Sequence, residues 1–191
     1  MKYPPLKNYI NGKPTAASSA KTLEVISPID GTLLSTVPMS TAKDLNDAVM
    51  VAQKAFVSWS RKPIKERVQV FFKFKTLLER DLNILAALVQ EENGKTLGEA
   101  VAEVEKCIEL TEFATSLPQL ISGEVLEVSK GVECRTEHVP LGIVASIVPF
   151  NFPAMVPNWT NPNAKTMGNF INMKPSEKVP MSCMKIAELS K

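Results

Sequence analysis

A chain of 191 residues, 45% hydrophobic, can bury one substantial core but is too short for two full catalytic domains. Its 22 basic and 20 acidic side chains leave a net charge of +2 with no stripe of Lys and Arg, which excludes nucleic acid as a partner and a disordered charged tail as a class. No apolar run reaches membrane-spanning length, the opening Met1-Lys2-Tyr3-Pro4-Pro5 has no secretory core, and Cys107, Cys134 and Cys183 are widely spaced without a CxxC pair, so the expectation is a reduced cytoplasmic chain with no metal site and no membrane partner.

The first forty residues read as short strands between turns. Tyr9-Ile10 runs into Asn11-Gly12, the strongest two-residue hairpin signal, and the segments around Leu23 and Leu33 flank a turn at Pro28-Ile29-Asp30-Gly31. Helices are expected from Ser40 to Leu117. Thr41 with Asp44 resembles a capping box, and Leu45, Ala48, Val49, Ala52, Phe56 and Trp59 recur at helical spacing. Pro63 breaks that helix and opens another, whose apolar positions continue from Val68 through Leu88 until Gly94 ends it in a left-handed conformation. A third helix carries Leu97, Val101, Val104, Ile108 and Phe113, with Glu99, Glu103, Glu105 and Glu109 on its solvated face and Pro118 at its end.

Glu124 to Val139 reads as a hairpin turning at Ser129-Lys130-Gly131, a ribbon too small to be stable unless it lies against something. The pattern then changes. Leu141 to Val148 is a continuous apolar run, as expected of a strand buried on both faces; a proline-flanked turn at Pro149–Pro153, a helix at 154–167, a short strand at 170–173 and a terminal helix from Pro180 to Leu189 follow. Strand, helix, strand, helix is a βαβ unit with a parallel sheet, so the fold class is α/β.

In such sheets ligands bind beyond the carboxyl ends of the strands. Two segments fall there. Asn151 sits between two prolines, where its carboxamide N–H could stabilise an oxyanion or its oxygen could cap the following helix; both readings stay open. Lys174 and Glu177, three apart at the second strand end, suit the hydroxyls of a nucleotide ribose or form a surface ion pair.

The stretch PLGIVASIVPFNFPAMVPNW, Pro140 to Trp159, with KPSEKVP, Lys174 to Pro180, resembles the NAD(P)-dependent aldehyde dehydrogenase superfamily. The wording PFNFPAMVP is nearest to its CoA-acylating methylmalonate-semialdehyde branch, and the NGK arm, the ENGKT segment at Glu92 to Thr96 and the GEVLEV hairpin fit in order. The resemblance implies an N-terminal β arm and helical layer, an incomplete Rossmann-like parallel sheet and a protruding β-hairpin. It divides the chain into residues 1–122 (β arm and helices of the cofactor-binding domain), 123–140 (oligomerisation hairpin, hence a homo-oligomer) and 141–191 (first βαβ part of the NAD-binding fold). It further implies that Asn151 helps hold the thiohemiacetal oxyanion and that the cofactor lies along Val148, Pro149 and Phe150. The adenosine ribose would be bound by Lys174 and Glu177, with Ser176 and Lys178 beside them. A carboxylate at Glu177 favours NAD over NADP, CoA is a possible co-substrate, and the substrate is an aldehyde of semialdehyde type.

Two departures qualify that resemblance. The family's pyrophosphate loop, general-base glutamate and nucleophilic cysteine are not matched in this sequence, so this chain alone is expected to be inactive and to hold NAD weakly, or to be a non-catalytic module that assembles with its own copies or a complementary half. The single histidine, His138, reads as solvent-facing. Where the family pattern wants apolar residues, this chain has Asn161, Lys165, Asn172 and Ser190, which would solubilise surfaces left without packing partners or mark drift in a gene no longer under selection.

Overall fold

The computed structural model describes residues 1–190. Two antiparallel hairpins open the chain: β1 (Asn8–Ile10) with β2 (Lys13–Thr15), and β3 (Thr22–Ile26) with β4 (Leu33–Pro38). Asn11 and Gly12 both take positive φ, 54° and 69°, the backbone that a two-residue hairpin turn requires. Val25 and Leu34 pack with Met181, so this arm has a small apolar cluster of its own against the end of the molecule.

Four helices follow: α1 (Ala42–Trp59), α2 (Ile64–Arg80), α3 (Leu82–Asn93) and α4 (Leu97–Leu120). At the start of α1 the Asp44 carboxylate accepts the Thr41 amide at 2.7 Å, and at the start of α4 Thr96 and Glu99 exchange reciprocal bonds. Gly94, at φ 80°, ends α3. The sequence reading differs at two points here. The segment from Val68 to Glu92 is two helices, broken at Asp81, and Pro118 lies inside the last turn of α4, where a missing N–H removes one rung and the helix ends shortly after.

The core forms where α2, α3 and α4 meet. Phe71, Phe74 and Leu78 from α2 meet Leu85, Ala86 and Val89 from α3 and Ala100, Val104 and Cys107 from α4, with Ala154 and Ile186 closing the cluster. Each fully buried leucine or phenylalanine here contributes roughly 1.5–3 kcal/mol. Against this layer lies the βαβα unit: β7 (Ile143–Ile147), α5 (Met155–Thr166), β8 (Phe170–Lys174) and α6 (Met181–Leu189). β7 and β8 are parallel, in register from Ile143 opposite Phe170 to Ile147 opposite Lys174. Between α4 and this unit, β5 (Glu124–Ser129) and β6 (Val132–Thr136) form the third hairpin, every residue of which is exposed.

The apolar run of β7 is a strand but is not covered on both faces. Leu141 is 89% and Ile147 79% exposed, while only Ser146 and Val148 of the run are buried. Among the described residues β8 is its single strand neighbour, so the other edge of β7 has no strand beside it.

Candidate active-site turn and cofactor edge

The two strand tips lie side by side. Lys174 closes β8 opposite Ile147, and its carbonyl accepts the Val148 amide at 3.1 Å, so the Pro149–Pro153 turn and the Lys174–Lys178 segment leave the sheet together. Val148 is buried beneath them, while Pro149, Phe150 and Asn151 are exposed.

The turn is held by the last residue of α3 and by the loop that leads to α4. Asn93 Nδ2 donates to the Phe150 carbonyl at 2.8 Å, and Lys95 Nζ donates to the Asn151 carbonyl at 2.7 Å. The Lys95 ammonium also lies 4.0 Å from the centre of the Phe152 ring and pairs with the Glu103 carboxylate. Glu103 in turn accepts the amides of Ala154 and Met155 at 2.8 and 3.1 Å, the two donors that open α5. An anion at a helix N-terminus satisfies unpaired amides and the helix dipole together.

Glu103 is therefore buried and not on a solvated face; Glu99, Glu105 and Glu109 do face solvent. The same contact decides how α5 is capped. Its first amides belong to Glu103, the cap residue is Ala154, and Asn151 makes no capping bond. The Asn151 backbone is pinned while its carboxamide remains exposed and available to another group.

The second tip repeats the device. Glu92, at the end of α3, accepts the amides of Met181 and Ser182 at 2.6 and 2.8 Å and the Ser182 hydroxyl, capping α6. Burial pushes its carboxyl up to about 7, against the opposing pull of those donors. Above it, Lys174 Nζ and Glu177 Oε2 form an exposed ion pair at 3.1 Å. The backbone N–H of Glu177 and then the Lys174 ammonium hold the Glu177 carboxyl below the usual range. The buried Ser176 hydroxyl accepts the Lys178 amide at 3.3 Å, and the Lys178 ammonium sits 5.1 Å from the Phe150 ring centre, joining the two tips.

The sequence reading placed Asn151, Lys174, Ser176, Glu177 and Lys178 here and missed Asn93, Lys95, Glu103 and Glu92. A signal was present: Glu103 lies in the stripe Ala100-Glu103-Val104-Cys107, and Glu92 follows Leu85 and Val89 at the same helical spacing. The cysteines contribute no reactive thiolate in the core. Burial pushes Cys183 up to about 12 and Cys107 higher still, while Cys134 on the hairpin and His138 after it are both exposed.

Residues 15–191 match the aldehyde dehydrogenase family. The chain belongs to that family. It is 44% identical over 185 residues to malonate-semialdehyde dehydrogenase 1 of Geobacillus kaustophilus (strain HTA426), covering 96% of this chain and 38% of the relative, and 44% identical to malonate-semialdehyde dehydrogenase of Lacticaseibacillus casei over the same shares. Among solved structures it superposes with a TM-score of 0.95 on methylmalonate-semialdehyde dehydrogenase (DddC) from Oceanimonas doudoroffii, 36% identical, across 100% of this chain and 38% of that one. A protein of Sinorhizobium meliloti 1021 assigned as methylmalonate-semialdehyde dehydrogenase, solved in complex with NAD, gives 0.96 at 34% identity, with 39% of that chain covered. The chain thus spans a little over a third of these relatives and corresponds to the N-terminal portion of the family. The α/β fold read from the sequence is the fold of its neighbours, and among the described residues no helix is long and apolar enough to cross a membrane.

Proposed function

We propose that this chain is the cofactor-side portion of an aldehyde dehydrogenase acting on a malonate- or methylmalonate-semialdehyde type of substrate with NAD, and that it does not complete the reaction by itself. The observation that carries the reading is the pairing of the two tips: a freed Asn151 carboxamide on one and an ionised Glu177 carboxylate beside Lys174 on the other, fixed in register by adjacent parallel strands. A ribose diol can donate to Glu177 and accept from Lys174, and Pro149 and Phe150, lying over the buried Val148, offer an apolar edge leading to Asn151. The residues present therefore fit NAD, and the carboxylate repels the 2′-phosphate of NADP. What NAD supplies when bound is an acceptor for hydride. Asn151, with its backbone held by Lys95, would donate an N–H to the oxyanion that develops when a nucleophile adds to the aldehyde. CoA remains a candidate acceptor of the acyl product. Neither buried cysteine can serve as nucleophile, because both thiols are held protonated.

Calorimetric titration tests this reading. NAD should bind the 191-residue chain weakly, at millimolar level, and NADP more weakly; Glu177→Gln should narrow the gap. Equal affinity for both cofactors with Glu177 intact would overturn the cofactor assignment, and aldehyde oxidation by the isolated chain would overturn the inactivity.

A second reading concerns assembly. The β5–β6 hairpin exposes Val125, Leu126, Val128 and Val132, each more than half exposed, beside free strand edges. This supports self-association of the chain through residues 123–140. Sedimentation at increasing concentration should reveal an oligomer that Leu126→Lys dissociates, and a clean monomer at high concentration would refute it.

A further inference from the structure

Three of the polar side chains that interrupt the apolar pattern, Asn161, Lys165 and Ser190, share one groove with Trp59, Phe71 and Phe170. It has a volume of about 170 Å³. That is the scale of an apolar cavity that accepts one benzene-sized molecule, about 150 Å³. Phe170 opens β8 and Lys174 closes it, so the groove lies at the opposite end of that strand from the Lys174–Glu177 tip.

The groove is built rather than loose. The Trp59 indole N–H donates to the Lys165 carbonyl at 2.9 Å, and the Trp59 ring meets Phe170 edge-on with centroids 6.4 Å apart. From α2, the facing helix, Arg67 donates to the neighbouring Thr166 carbonyl at 2.7 Å, which fixes the end of α5. Arg67 is a cation, and no carboxylate lines the groove among the described residues. Nothing offsets the desolvation of the Lys165 ammonium, which burial pushes down to about 8. A substantial share of Lys165 is thus a neutral, nucleophilic amine at mildly alkaline pH, whereas an ordinary lysine, with a pKa of about 10.4, is almost wholly protonated.

We propose that Lys165 and its groove form a second, carbonyl-binding site, in which the amine condenses reversibly with a small aromatic aldehyde. The nitrogen lone pair attacks the carbonyl carbon and the π pair moves to oxygen. The carbinolamine then loses the oxygen as water, taking both protons from the nitrogen, and leaves a C=N bond. No electrons are transferred to or from a third party. The aromatic walls take the ring of the aldehyde, while the Asn161 carboxamide supplies an N–H in the groove that can meet its oxygen; the Ser190 hydroxyl donates to the Ile186 carbonyl at 3.0 Å.

Benzaldehyde with cyanoborohydride, which reduces the imine to a stable secondary amine, tests the site on the full 191-residue chain at pH 7.5. Peptide mapping should find Lys165 labelled at least fivefold more than the exposed Lys54 and Lys130. Benzyl alcohol, which has the ring but no carbonyl, should suppress the label at Lys165 alone, and formaldehyde should show no such preference. Lys165→Met and Lys165→Arg should both abolish labelling at that peptide; the first places an apolar chain in an apolar groove and the second keeps the charge, so loss of fold in one leaves the other as control. Enrichment below fivefold, or enrichment that benzyl alcohol does not reduce, would overturn the proposal. It stands apart from the cofactor reading, since neither outcome depends on NAD.

Discussion

Lys95 and Glu103 form an ion pair beneath the turn that carries Asn151, and each also holds backbone: Lys95 the Asn151 carbonyl at 2.7 Å, Glu103 the Ala154 and Met155 amides at 2.8 and 3.1 Å. The carboxylate side chain is only 1% exposed, so its charge is compensated entirely by these partners. Removing one member of a buried pair leaves the other uncompensated, at a cost of about 3–5 kcal/mol. Glu103→Ala should lower the unfolding free energy by that order in urea titrations, and Glu103→Gln, which keeps one acceptor, by about 1–3 kcal/mol. A loss under about 1 kcal/mol for Glu103→Ala would mean that the pair does not hold the turn.

Much of the local structure was legible in residues with strong conformational demands. Asn11-Gly12 required positive φ and made the first hairpin; Gly94 required it and ended α3; the change of period at Leu141 marked the parallel unit. What stayed hidden was long-range. Glu92 and Glu103 look like surface residues because a carboxylate normally seeks water, and their partners are helix amides roughly ninety and fifty residues along the chain. Only their place in an apolar stripe hints at burial. The exposure of β7 was hidden for a related reason: an apolar run records what a strand is suited to pack against, while its burial depends on which neighbours are present.

The second buried carboxylate makes stability depend on pH. Glu92 has its carboxyl raised from 4.5 to about 7 in the folded protein, mainly by burial. Between those values the folded state binds more protons than the unfolded one, so stability falls as pH rises through the window. The contribution is complete below pH 4.5 and lost above pH 7, with a span of about 3 kcal/mol. Denaturation curves at pH 5 and pH 7.5 should show the wild-type chain losing stability relative to Glu92→Gln. Parallel pH dependence in the two proteins would contradict a buried, titrating Glu92.

Gly168 joins α5 to β8 at φ 90°, and a Cβ built there would lie 2.7 Å from Pro140 Cγ and 3.3 Å from Arg67 Cζ. Strain and crowding act in the same direction at this position. Gly168→Ala should cost on the order of 1–3 kcal/mol in thermal or urea unfolding. At Gly12, where nothing lies within 4 Å, the same substitution meets strain alone and should cost less. Reversal of that order would remove the close approach as the cause.

Thiol accessibility separates the cysteines. Cys134 is exposed, while Cys107 and Cys183 are buried with their thiols held protonated. A chromogenic disulfide reagent at pH 8 should titrate one thiol per native chain quickly and the other two only after urea is added. Rapid reaction of all three would place a usable thiolate in the core and reopen the question of a nucleophile within this chain.

The role of Asn151 is testable once a catalytic half is supplied. A chimera joining this chain to the remaining part of the Geobacillus kaustophilus relative, which is 44% identical to it over the shared region, would carry both tips and a complete site. Because Glu103 caps α5, Asn151 is not needed for the helix, and Asn151→Ala should leave the unfolding midpoint nearly unchanged. Loss of one oxyanion donor should instead lower kcat by about 10²–10³. Lys95→Met acts one step removed: it releases the Asn151 carbonyl, so it should lower both kcat and stability. An Asn151→Ala chimera with full kcat would dismiss the oxyanion role, and one that unfolds earlier by several degrees would return Asn151 to a purely structural part.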